Sequence, residues 1–425
     1  MKIGYLLQQA PEIRQPPFDG PATHVREVVR ELAGLGHPVR LLARLQGQVY
    51  VADDLEHFRP VRVAAIDGGP LRLLERVIRR AQSALRLPYL NLFESLRFAS
   101  ACRQELQDAD LLYERSSWMG FGGAMAARWL RKPLILEYNG DPLHDLAARG
   151  LDPHGLQGWL ARRLSQAAVN QADHVIASGE GWKRQFMERW GFRLERVSTV
   201  ENGSALVRML ARAQLRSFQA GAGDGSVRLV YLGAFYPWHG VQILLRALGQ
   251  VVNRGIPVRL QLVGTGDGHE QARQLTRELG LEALVEFPGH LAPEGYAPLL
   301  AQSDIGLSPY CGWREYSGLK LLDYKAAGLA IIASGEGGQP ATLRHGHTGW
   351  IVPPCEEGLL AEAIVQLATD QGLRARLGQA ARLEAEQVHG WDRTARELDR
   401  ILGHVVGTTA ARIGQPVGEQ HASHG

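Results

Sequence analysis

Short apolar runs alternate with amphipathic stretches along nearly the whole chain, and that rhythm stops once, at the Gly-rich segment Ala220 to Ser226, before it resumes. The runs before the break are Ile3 to Leu7, Val39 to Ala43, Leu111 to Tyr113, Pro133 to Glu137, His174 to Ala177 and Ser198 to Val200. Those after it are Leu229 to Leu232, Leu260 to Val263, Val285 to Phe287, Ile305 to Ser308, Ala330 to Ala333 and Trp350 to Val352. Runs that short and that continuously apolar read as strands buried on both faces, and helices between them imply a parallel, doubly wound sheet. Two such series predict an α/β chain of two tandem Rossmann-like domains, residues 1–215 and 216–389.

The first helix shows how sharply the punctuation is written. Gly20 and Pro21 suit a helix start, Val25, Val28, Val29 and Leu32 keep the helical period, and Gly34 and Gly36 end it. Beyond Gly403 no apolar period is visible, so residues 405–425 are expected to form a disordered tail. Leu71 to Leu106 is Arg-rich with Leu73, Leu74, Val77, Ile78 and Leu85 at helical spacing, which predicts inserted helices. Their outer side is either a plain solvated face, the reading preferred on sequence, or a surface for an acceptor or a membrane.

Composition narrows the partners. With 47 basic against 44 acidic residues the formal charge is only +3, too little for general nucleic-acid binding. Cys102, Cys311 and Cys355 have neither metal-ligand spacing nor a disulfide pattern, which favours a reducing compartment. The apolar run at the amino terminus is too short for a secretion signal, so the expected location is the cytosol, with peripheral membrane contact left open. No metal site and no cofactor are expected.

In parallel sheets ligands collect beyond the carboxyl ends of the strands, and motifs can be judged by that rule. Asp108 and Asp110 form an Asp-x-Asp pair, but they precede a strand and sit at the wrong end. Gly264, Gly266 and Gly268 follow a strand and open a helix, which suits either a nucleotide turn or a plain tight turn. The richest segment runs from Trp313 to Gly328. Glu315 lies in the loop after a strand, and Ser317 can cap the helix that follows. Ser317 and Gly318 leave backbone N–H groups free for a diphosphate. Lys320, one of only five lysines, adds positive charge there. Glu315 and Asp323 can each accept hydrogen bonds from a different sugar ring. His24, Asp141 and His144 fall at or near loops on the carboxyl side, where an acceptor would lie.

This segment resembles the Glu-x7-Glu signature of the retaining family-4 glycosyltransferases of the GT-B fold. Gly20, Gly36-His37, Asn202-Gly203, Gly233 to Gly240 and Gly264 to Gly268 resemble further loops of that family, and Trp391-Asp392 the start of its last helix. The resemblance implies two domains facing across a cleft, with helix 390–404 returning to the first. It implies a nucleotide diphosphate sugar as donor and a glycan, lipid-linked or small-molecule acceptor. Donor contacts would come from Gly20, Gly233, His239, Gly264, Glu315, Ser317, Gly318, Leu319, Lys320 and Asp323, with Glu315, His239 and Lys320 catalytic. The chain departs from the family pattern at Asp323, where Glu is commoner, at His239, where Lys is commoner, and at Asn139, where many members carry a His facing the reaction. A nucleotide-sugar epimerase, or a binding protein without turnover, are the alternatives; only a transferase needs an acceptor.

Overall fold

The structure is a computed structural model, and it describes all residues except 17, 64–68, 85–91, 142, 144–145, 147–153, 211–224, 313–317, 335–341 and 415–425. In the first half, β1 (Ile3–Leu7), β2 (Val39–Leu45), β3 (Gln48–Ala52), β4 (Arg59–Pro60), β5 (Leu111–Arg115), β6 (Leu134–Tyr138), β7 (His174–Ala177) and β8 (Val197–Thr199) form one sheet. Its order is β4-β3-β2-β1-β5-β6-β7-β8. The helices are α1 (Gly20–Gly34), α2 (Gly69–Ala84), α3 (Leu92–Glu105), α4 (Gly122–Leu130), α5 (Gly155–Val169), α6 (Glu180–Trp190) and the short α7 (Leu206–Met209). One face of the sheet packs under α3, α4 and α6 around Leu112, Leu136, Phe98 and Phe186. The other packs under α1 around Tyr5, Tyr113, Val25 and Leu32.

In the second half, β9 (Val227–Leu232), β10 (Val258–Val263), β11 (Val285–Gly289), β12 (Ile305–Pro309), β13 (Ala330–Ser334) and β14 (Trp350–Ile351) make a wholly parallel sheet of order β11-β10-β9-β12-β13-β14. Its helices are α8 (Val241–Asn253), α9 (His269–Glu278), α10 (Pro293–Gln302), α11 (Leu319–Ala326), α12 (Glu357–Thr369), α13 (Gln371–Val388) and α14 (Trp391–Gly414). Each apolar run read from the sequence is a strand here. The addition is the antiparallel pair β3 and β4 at the sheet edge, reached through a two-residue turn in which Gln46 and Gly47 both have positive φ.

Two expectations need correction. The carboxyl-terminal segment is helical well past Gly403, since α14 runs to Gly414. Val405 continues the spacing of Leu398, Ile401 and Leu402, and all four are buried against the first domain, where each such side chain contributes about 2 kcal/mol. His37 completes that contact by bonding Asp399 at 2.9 Å. Cys311 and Cys355 form a disulfide, while Cys102 is free and buried. Their 44-residue separation hid the pair, because only the sheet order β12-β13-β14 brings the loop after β12 and the segment after β14 to the same edge. Among the described residues no helix is long and apolar enough to cross a membrane.

Candidate active site

Two helix amino termini, one from each half, meet at the junction. Asp19 caps α1 by accepting from the Ala22 N–H at 2.8 Å. Gly20 lies so near α11 that a Cβ there would stand 3.4 Å from the Leu319 side chain. At α11 the cap residue is Gly318, which has no side chain to spend on the helix. Glu315 and Ser317 lie outside the described residues, as does His144.

Lys320 projects from the first turn of α11 into an aromatic cradle, its Nζ 4.8 Å from the ring centroids of both Tyr231 and Tyr310. A Cβ at Gly233, whose φ is +148°, would come within 2.9 Å of that nitrogen. Glycine is therefore what lets the β9 loop approach the ammonium. His239 sits beside it, with Nδ1 2.6 Å from the Ala234 carbonyl and Nε2 3.2 Å from the Tyr310 hydroxyl. Burial and then the Lys320 charge push the imidazole down to about 3, so it is neutral. Its one proton is then donated from Nδ1 to the carbonyl, and Nε2 is an acceptor. His239, which stands where the family more often has Lys, thus adds no positive charge beside Lys320.

Asp323 faces the junction from the second turn of α11. Ser204 donates to its Oδ1 at 2.6 Å and Tyr296 to its Oδ2 at 2.9 Å. Burial raises the carboxyl to about 6 against the opposing effect of both hydroxyls. The glycines after β10 serve the backbone itself. A Cβ at Gly264 would fall 1.9 Å from the Gly233 carbonyl oxygen, and one at Gly268 2.6 Å from that of Phe235. The tight-turn account of these glycines is sufficient without a nucleotide.

On the first domain's side, His24 and Asn139 come together around a residue the sequence marked only as a strand end. Glu137 accepts from Tyr5 at 2.9 Å and pairs with Nε2 of His24. Nδ1 of His24 meets Asn202 Oδ1 at 2.7 Å, and Asn139 Nδ2 lies 3.3 Å from Nε2. Burial alone would raise Glu137, but His24 and Arg115 outweigh it and hold the carboxyl low, at about 2. Trp391 closes the cluster edge-on to His24. Asp141 stands apart, buried and ion-paired to Arg189 at 2.6 Å. It lines a cavity of about 40 Å³ with Glu114, Ser117, Trp118, Ser165 and Trp190. The hydroxyls of Ser117 and Ser165 are buried there and have no hydrogen-bond partner among the described residues. Such a space holds about three waters. Asp108 and Asp110 bind Lys2 at the amino ends of the strands, as their position predicted.

Both halves match family models. Residues 19–203 match the glycosyl transferase 4-like domain, and residues 226–370 match glycosyl transferases group 1. A D-inositol 3-phosphate glycosyltransferase of Rhodococcus erythropolis is 30% identical over 252 residues, spanning 56% of this chain and only 55% of that relative. The enzyme of the same name from Kribbella flavida is 25% identical over 89% of this chain and 91% of its own. Anabaena HepE, crystallised with UDP, superposes with a TM-score of 0.67 at 21% identity, covering 95% of this chain and all of that one. The paired domains define a glycosyltransferase of the GT-B architecture. The chain belongs to family 4, the group 1 glycosyltransferases.

Proposed function

We propose that this enzyme moves a hexose-type sugar from a nucleotide diphosphate donor to a glycan, lipid-linked or small-molecule acceptor, with retention of anomeric configuration and without a metal. The observation that carries the proposal is the glycine-capped start of α11, with Lys320 in its first turn, facing Gly20 of α1 across the junction. Helix N–H groups and a lysine are a receptor for a diphosphate, and they stabilise the charge that grows on it as the sugar leaves. Electrons of the breaking bond go to the phosphate oxygen, the acceptor oxygen bonds the anomeric carbon from the same face, and its proton passes to the departing phosphate. By family resemblance Glu315 holds the transferred sugar and Ser317 the diphosphate. Asp323 is assigned to the ribose, with a ribose hydroxyl replacing Ser204 on Oδ1 while Tyr296 keeps Oδ2. The acceptor is assigned to the carboxyl edge of the first sheet, where Asn139 and Asp141 follow β6, with His24 and His144 as further candidates from the sequence.

A thermal-shift series with UDP, GDP, ADP, TDP and their sugar conjugates tests the donor class, since a ligand at 100 times its Kd adds about 2.7 kcal/mol to the folded state. Selective stabilisation by one nucleotide, followed by transfer to acceptor, is expected. Stabilisation by none of them, or turnover of the donor sugar to its epimer without acceptor, would refute the proposal.

A further inference from the structure

The loop after β9 and the end of β12 are fastened to each other beside Lys320. Cys311 donates its N–H to the Trp238 carbonyl at 2.9 Å, and the Ser334 hydroxyl donates to the Tyr310 carbonyl at 2.9 Å. Gly240, at a φ of +69°, lies so close to β12 that a Cβ there would stand 1.7 Å from the Pro309 carbonyl oxygen. The Cys311–Cys355 bond ties the same stretch to the segment after β14. The backbone at Tyr310 is therefore fixed, and the direction of its buried ring is set by the side chains it meets.

A neutral His239 leaves one consistent assignment of protons in this cluster. The Ala234 carbonyl accepts from Nδ1 of His239 and from the Tyr231 hydroxyl, each at 2.6 Å. Nε2 then carries a lone pair, and the Tyr310 hydroxyl donates to it at 3.2 Å. The two tyrosines anchored in this way are the two whose rings flank the Lys320 ammonium. A cation over ring faces is held without being neutralised, so its charge stays available to an anion. A lysine at position 239 has no acceptor to offer Tyr310 and would set a second ammonium against the first.

We infer that His239 is a positioning residue in place of the direct donor contact that the family resemblance implies: by anchoring Tyr310, and Tyr231 through the shared Ala234 carbonyl, it aims the Lys320 ammonium at the assigned diphosphate. The inference rests on the glycosyl-transfer reading for the identity of that anion. Calorimetric titration of the full chain with UDP, GDP, ADP and TDP selects the nucleotide that serves as probe. Tyr310→Phe keeps the ring, removes the donated proton and should weaken the probe about fivefold. His239→Leu should do the same, and the two together should cost no more than either alone. On a Lys320→Ala background neither should have a further effect, because both act through the lysine. His239→Gln, whose side-chain oxygen accepts from Tyr310, should recover most of the affinity, and His239→Lys should not. An equal loss from His239→Leu with and without Lys320, or parental affinity in His239→Lys, would overturn the inference, since residue 239 would then meet the nucleotide itself. Tyr310→Phe, the gentler change, decides where His239→Leu lowers the melting temperature.

Two further readouts need no nucleotide. Nitrogen NMR at pH 6, where an ordinary imidazole is mostly protonated, should find the His239 ring neutral with its proton on Nδ1. Labelling with an amine-reactive ester, followed by mass spectrometry, should modify Lys320 faster in Tyr310→Phe than in the parent, relative to the exposed Lys2. A protonated ring, a proton on Nε2, or unchanged labelling would overturn the inference. If no nucleotide binds the parent, the transfer reading fails, and these two readouts still judge the positioning of Lys320.

Discussion

At the residue scale, the chemistry follows from which charges are buried and what faces them. Lys320 is held by two aromatic rings beside a neutral His239, so the cation nearest the assigned diphosphate is the lysine and not the histidine. Lys320→Ala should weaken nucleotide binding by about 1.5–3 kcal/mol, roughly tenfold or more, measurable by calorimetry. Glu315→Gln should abolish transfer and leave the melting temperature unchanged. Glu114 makes a different kind of prediction. Burial pushes its carboxyl up to about 8 against an ordinary 4.5, with the Gln8 amide opposing that rise. A folded-state value above the unfolded one means the native chain keeps a proton that the unfolded chain has released. Stability associated with it is whole below pH 4.5 and is lost as pH rises towards 8. Glu114→Gln should therefore match the parent at pH 4 and exceed it at pH 9, by roughly 3–5 kcal/mol, in denaturant titrations at the two pH values.

At the element scale, the loops after β9 and β10 are one packed unit, because Phe235 donates its N–H to Thr265 and accepts from Gly268. Gly264→Ala would drive a methyl group into a carbonyl oxygen 1.9 Å away at a φ of +139°. A loss of more than about 2 kcal/mol is expected in chemical denaturation, with a parallel loss of nucleotide binding if the loop stays displaced. The Cys311–Cys355 bond ties the loop that follows β12, which leads to α11, to the segment after β14. Thiol titration of the unfolded, unreduced protein should find one reactive cysteine, Cys102; finding three would remove the bond.

At the scale of the whole molecule, the halves are joined where the contacts are most varied. Ser204 reaches Asp323, Arg208 of α7 pairs with Glu27 of α1, and α14 returns to cover the first sheet. Since neither half alone supplies the assigned donor contacts, saturating nucleotide should make the molecule more compact in small-angle scattering. An unchanged radius of gyration would argue against closure.

Strand positions and the two-domain division were legible in the sequence because parallel strands are covered on both faces and so appear as unbroken apolar runs. The start of α11 was legible to within one residue, Gly318 being the cap residue where the sequence offered Ser317. The missed features all depended on a second segment. Burial made His239 a neutral ring, and Glu137 became a hub only when α1 laid His24 across β6. The order β12-β13-β14 paired two cysteines far apart in the chain, and the register of α2 on α3 turned an Arg-rich helix apolar side out. Periodicity records how a segment meets its own neighbours, whereas protonation, pairing and orientation are set by the dielectric and the partners that tertiary packing brings.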